Sequence, residues 1–180
     1  MLIRDATLAD AHAVAEVHVS SWRAAYAEII PARVLEEMCS TRLERWTQSL
    51  SDINSIYRAL LCEHDGRVTG FATYSPSRDE GDDKQQTAEL CALYVHPHDW
   101  NRGYGRALTN AVIQRVRQGP WRELMVWCLT NNHPARRFYQ AIGFVLDGKT
   151  KNITIADEPF AEVRFSRAIV PAGDSGISAV

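Results

Sequence analysis

Val95-His96-Pro97-His98-Asp99-Trp100-Asn101-Arg102-Gly103-Tyr104-Gly105-Arg106-Ala107-Leu108 is the stretch on which the fold turns. It reads as the end of an apolar strand, a turn, two glycines with flanking arginines, and then a helical pattern. Glycine lets a backbone come close to a ligand and adopt conformations closed to other residues. A helix start adds unpaired N–H groups and the positive end of its dipole, so the segment suits an anion such as a phosphate. A second reading stands beside this one: Gly103 and Gly105 shape a strand-to-helix turn and nothing more.

Upstream, Ala88 to Val95 reads as a strand with Glu89, Cys91, Leu93 and Val95 on one face and Leu90, Ala92 and Tyr94 on the other. Downstream, Leu108, Ala111, Val112 and Val116 mark a helix that stops at Gly119-Pro120, and Leu124 to Leu129 is an apolar run suited to a strand covered on both faces. Strand, helix, strand implies a parallel crossover. Pro134 favours a new helix start after Asn131-Asn132-His133, and Gly143 suits its end. Phe144 to Leu146, Ile153 to Ile155 and Ala161 to Ile169 read as strands, with turns at Asp147-Gly148 and Asp157-Glu158-Pro159.

Toward the start of the chain, Thr7-Leu8-Ala9-Asp10 resembles a capping box with Asp for the usual Glu, and Ala13, Val14, Val17 and Ser21 follow at helical spacing to about Tyr26. Pro31 through Leu50 suggests further short helices. Ile56 to Cys62 and Val68 to Tyr74 flank His64-Asp65-Gly66-Arg67, a hairpin signal. Ser75 to Gln86 reads as a solvated loop open to motion, and Pro171 to Val180 as a flexible tail. The class is mixed α/β, one domain over residues 1–170.

Composition narrows the function. At 180 residues the chain suits a single core, and a net charge of -2 gives no reason to expect a nucleic-acid or membrane partner. Cys39, Cys62, Cys91 and Cys128 form no C-x-x-C pair and read as reduced core residues, and no stretch has the length of a signal peptide or membrane span, so a cytoplasmic protein is expected. His96 and His98 read as turn residues with no third ligand in sight, and no metal is assigned.

Three segments together resemble the GCN5-related N-acetyltransferases, the GNAT superfamily: Glu89-Leu90-Cys91-Ala92-Leu93-Tyr94-Val95, Arg102-Gly103-Tyr104-Gly105-Arg106-Ala107-Leu108, and Asn132-His133-Pro134-Ala135-Arg136-Arg137-Phe138-Tyr139-Gln140-Ala141-Ile142-Gly143-Phe144. They resemble that superfamily's central strand, its pyrophosphate loop, and its N-x-x-A-x-x-F-Y-x-x-x-G-F pattern, in the same order. The resemblance implies a mixed sheet of antiparallel and parallel strands with helices on both faces, and acetyl-coenzyme A as co-substrate. One departure is Trp100, which stands where family members often carry Gln or Arg.

The resemblance also assigns roles. Main-chain N–H groups from about Arg102 to Ala107, with the charges of Arg102 and Arg106, would take the pyrophosphate; Gly103, Tyr104 and Gly105 lie within that span. The pantetheine arm would pair with β-strand backbone at Leu93 and Val95, around Tyr94, as a peptide adds to a sheet edge. Asn132 would bond the cofactor arm, a helix-capping role being the alternative. Glu89 is the candidate base, because an alkylamine with a reference pKa of about 10.4 must lose a proton before it attacks. Tyr139 would meet the departing sulfur. Donating its proton outright is uphill by about 2 kcal/mol, so it is read as a hydrogen-bond donor to developing charge.

An acyl-cysteine route through Cys91 is disfavoured, since burial beside a carboxylate raises a thiol's pKa. Trp22, Tyr26 and Phe160 are candidates for lining the acceptor cleft. The expected acceptor is an amine of a small molecule or a protein. The competing class is a non-catalytic acyl-coenzyme A sensor. A homodimer formed by pairing of the Ala161 to Ile169 strand is a further expectation.

Overall fold

The computed structural model describes residues 1–155 and 157–170, and the expected tail from Pro171 lies outside the described residues. Twelve regular elements follow in order: β1 Leu2–Asp5, α1 Ala11–Tyr26, α2 Ala32–Ser40, α3 Arg42–Ser51, β2 Arg58–His64, β3 Arg67–Pro76, β4 Thr87–Val95, α4 Tyr104–Arg117, β5 Glu123–Leu129, α5 His133–Ala141, β6 Val145–Ile155 and β7 Glu158–Ala168. The strands form one sheet in the order β1-β2-β3-β4-β5-β7-β6. Among the described residues only β4 and β5 are parallel, joined by α4 as the sequence pattern anticipated.

Local chemistry starts the elements. Asp10 accepts the Thr7 N–H at 2.8 Å and is gripped by both terminal nitrogens of Arg4. Asp65 and Gly66 both have positive φ, +50° and +71°, which makes the two-residue β2–β3 connection the tight turn that right-handed strand twist prefers. One helical layer, α4 and α5, packs Leu108, Val112, Val116, Tyr139 and Ile142 against Leu90, Leu124, Val126 and Phe165. The other layer packs Val14, Val17 and Trp46 against Leu61 and Phe71. His18 is buried in this second layer, its Nδ1 accepting from Trp46 Nε1 at 3.0 Å, and burial pushes its imidazole down to about 3. Among the described residues no helix is long and apolar enough to cross a membrane.

Four sequence expectations change. First, β4 does not alternate strictly: Thr73 faces Ala92 while Tyr74 faces Leu90, so Cys91 is an inserted, unpaired residue. Ala88 and Leu90 therefore share a core with Leu93 and Val95, while Ala92 and Tyr94 pack on the α1 side. Glu89, between Ala88 and Leu90, points away from that core. Second, Asp147-Gly148 is not a turn between strands but an irregularity within the continuous β6, where the register shifts between Leu146 and Thr150 and Gly148 takes φ +87°. Glu158 and Pro159 likewise belong to β7, leaving Asp157, φ +67°, at the turn.

Third, Ser75 to Gln86 is not simply solvated. Ser75 and Pro76 extend β3, Ser77 is 2% exposed, and Asp82 is bonded by Arg164 at 2.6 Å and Lys149 at 2.7 Å. Fourth, β7 is paired on both sides, by β5 and β6, so the Ala161 to Ile169 segment has no free edge with which to join a second copy.

Candidate active site

β4 and β5 pair over three positions only, Thr87 with Glu123, Ala88 with Leu124 and Glu89 with Met125. Past Glu89 comes the inserted Cys91, and the strands splay apart. The gap between them belongs to a cavity of about 920 Å³ that runs from the start of α4 to the β6–β7 floor. His96 N–H donates to Thr69 O at 2.8 Å, and antiparallel ladders alternate, so Tyr94 exchanges its bonds with Phe71. The backbone groups of Leu93 and Val95 therefore face the gap. The Val95 carbonyl is already taken, accepting from Ser21 Oγ at 2.9 Å and Trp100 Nε1 at 2.7 Å. The Leu93 N–H and C=O and the Val95 N–H remain for a guest.

At the near end, Gly103 adopts φ +84° and caps α4. Ala107 N–H bonds Gly103 O at 3.0 Å, which leaves the amides of Tyr104, Gly105 and Arg106 without intrahelical partners. Three backbone donors at a helix start suit an anion. A Cβ on Gly105 would lie 3.4 Å from Phe138, ordinary contact, so no neighbouring protein atom demands a glycine there.

The middle and far end are made of side chains. Glu89 is 1% exposed and bound by Arg78 through its main-chain N–H at 3.1 Å, Nε at 2.9 Å and a further bond from Nη2. Trp127 Nε1 donates to Asp79 at 3.0 Å, and Lys151 Nζ sits 4.0 Å over its ring. Arg164, 4% exposed, ties Asp79, Asp82 and Asp147 beneath this floor.

The whole-chain comparisons point one way. A model of the acetyltransferase (GNAT) family matches residues 18–144. The chain is 34% identical over 139 residues, 77% of each chain, to the uncharacterized N-acetyltransferase YuaI of Bacillus subtilis. It is 27% identical to the probable N-acetyltransferase Rv2775 of Mycobacterium tuberculosis, covering 94% of this chain and 95% of that one. The chain belongs to the GNAT family. The crystal structure of the PaiA N-acetyltransferase of Thermoplasma acidophilum in complex with coenzyme A shares the fold, with a TM-score of 0.76 at 19% identity over 93% of this chain and 98% of that one. As a GNAT protein it is an enzyme of the acyl-coenzyme A-dependent N-acetyltransferase class.

Within this GNAT cleft the structure gathers Glu89, Leu93, Tyr94, Val95, Gly103, Tyr104, Gly105, Arg106, Asn132 and Tyr139 on the cavity wall. Arg102 and Ala107 are not brought there: Arg102 reaches Asp99 at 3.3 Å instead, and the Ala107 amide is spent inside α4. Asn132 caps α5, its Oδ1 accepting from Ala135 N–H at 3.2 Å. Burial pushes the Tyr139 phenol well above its usual range, and burial with the nearby Glu89 charge pushes the Cys91 thiol up to about 11.

Trp22 and Tyr26 line the cavity, with Tyr26 Oη 3.4 Å from Tyr94 Oη, whereas Phe160 packs into the α2 cluster. Sequence reasoning missed Arg78, Trp127, Lys151 and Glu162, all on the cavity wall. Arg78 lay in a stretch read as solvent, and the others gain meaning only from the pairing of β5, β7 and β6.

Proposed function

We propose that the protein transfers an acetyl group directly from acetyl-coenzyme A to a primary amine of a small molecule or a protein, with Glu89 as general base and Tyr139 stabilising the departing thiolate. The observation that carries this reading is the open edge of β4, which leads from the unpaired amides of α4 to the buried carboxylate of Glu89. A pyrophosphate fits the amides of Tyr104, Gly105 and Arg106, and an extended amide-bearing arm fits the Leu93 and Val95 backbone. The thioester supplies an activated carbonyl carbon and a good leaving group. The PaiA neighbour, which shares the fold, is in complex with coenzyme A, and this supports coenzyme A as the guest.

Glu89 accepts three hydrogen bonds from Arg78, so a proton reaches it through a bridging water or by slipping one of those bonds. Tyr139, kept protonated by burial, donates a hydrogen bond where negative charge grows on sulfur. Cys91, held as a neutral thiol, is no nucleophile, which favours direct transfer.

Thiol release from acetyl-coenzyme A across a panel of amines and peptides tests the reading. Turnover with at least one amine is expected, and Tyr139→Phe should lower kcat by about 10- to 100-fold with cofactor affinity retained. Tight coenzyme A binding with no thiol release for any acceptor would identify a sensor instead.

A further inference from the structure

The far floor of the cleft carries a second carboxylate. Glu162 on β7 stands opposite Leu129 of β5 and Lys151 of β6, lines the same cavity as Glu89, and is 14% exposed at its side chain. Its surroundings differ from those of Glu89. Where Arg78 gives Glu89 three hydrogen bonds, the cation nearest Glu162 is Lys151 Nζ at 3.7 Å, beyond hydrogen-bond length. That ammonium is shared with Asp79, also at 3.7 Å, and with the Trp127 ring. Glu162 thus has one loose ammonium partner where Glu89 has a guanidinium clamp, which leaves most of its lone pairs facing the cavity.

The chemistry calls for such a group. A primary amine arrives as an ammonium with three N–H bonds, at a pKa of about 10.4, and leaves as an amide with one. Two protons must go, and one carboxylate already occupied by Arg78 is poorly placed to take both. Resting on the acetyl-transfer reading above, we propose that Glu162 is a second proton acceptor of the cleft, receiving the incoming ammonium and taking its first proton, while Glu89 takes the second as the amide forms.

In this sequence the first N–H bond breaks and its proton joins a Glu162 oxygen, freeing the nitrogen lone pair. That pair forms the C–N bond at the thioester carbonyl, and the C–S pair departs on sulfur. The second proton passes through water to Glu89 and on to the thiolate; the proton on Glu162 is lost to solvent. The groups facing Glu162 are Lys151 from β6, Cys128 from β5, Glu89 from β4 and Arg78 from the β3–β4 loop. Burial raises its carboxyl above the usual range and Glu89 adds to this, while Lys151 and Arg78 pull it back, so its proton affinity moves toward that of the amine.

The test is the pH profile of kcat/KM for Glu162→Gln, Glu162→Asp and Glu89→Gln against wild type, with coenzyme A affinity measured alongside by calorimetry. Glu162→Gln should bind coenzyme A within about twofold of wild type and lose about 10-fold or more in kcat/KM near neutrality. Because free amine is abundant near pH 10, the defect should shrink there to about threefold, whereas that of Glu89→Gln persists. Glu162→Asp, which keeps a carboxylate, should recover part of the neutral-pH rate. A Glu162→Gln defect that is absent, or equal at every pH, would overturn the proposal while leaving acetyl transfer intact; wild-type protein that releases no thiol with any amine would overturn both.

Discussion

The two ends of the cleft are built from different materials. At the α4 end, the polar groups on offer are main chain: three helix-start amides, a glycine at φ +84°, and an open strand edge within one run of sequence. At the β6–β7 end it is side chain: Arg78, Asp79, Trp127, Lys151, Glu162 and Arg164, drawn from four elements and fixed by ion pairs. A backbone site tolerates drift in its side chains and suits a guest that never changes. A side-chain site can be rewritten position by position, which suits the partner that varies.

Substitutions at each end sharpen this contrast, and the largest effect belongs between them. Glu89→Gln should reduce kcat by about 10²-fold or more with coenzyme A affinity unchanged, measured by thiol release and calorimetry. At the far end, burial would raise the Asp82 carboxyl, but hydrogen bonds from Arg164, Lys149 and Ser77 outweigh it and bring it from 3.8 to about 2. Its folded pKa lies below its unfolded one, so the stabilisation is present above about pH 4 and is lost as pH falls through about 2, roughly 2 kcal/mol in all. Denaturant titrations at pH 6 and pH 2.5 should therefore show Asp82→Asn weakened at the first, with about two-thirds of that deficit gone at the second.

The near end should respond through conformation alone. Gly103→Ala meets no atom within 4 Å yet must hold φ +84°, so it should cost roughly 1 kcal/mol in stability and weaken cofactor binding. Gly105→Ala sits on a helix with ordinary contact to Phe138, and should hold or gain stability while still weakening the cofactor, a split visible in paired melting and calorimetry. The smallest effect is expected for Trp100→Phe. It removes one of two donors from the Val95 carbonyl, leaves Ser21, and should change cofactor affinity by less than about threefold.

The same contrast explains what could be read in advance. The glycine turn before α4, the α4 crossover, the β2–β3 turn and the α5 cap are local, each set by residues a few positions apart, and they stand where the sequence placed them. Arg78 reads as an exposed charge until β3 and β4 are aligned and it meets Glu89. Glu162 and Arg164 read as polar positions of the Ala161 to Ile169 strand, and Lys151 as lying between two strands, until β7 is inserted between β5 and β6. Local rules also failed inside β4 itself, because alternation carries no mark of an extra residue. The misplaced dimer strand has the same origin: which strand lies at an edge is a property of the sheet order.

Cys91 stands unpaired between Leu90 and Ala92, and the parity of β4 reverses across it. Excising that single residue would let the ladder run on without interruption, with Leu90 still opposite Tyr74 and Glu89 still opposite Ser75, each on the face it holds now. What the extra residue does is bend β4 just where it parts from β5, so its loss would be felt in the width of the opening between the two strands and in the facing of no side chain.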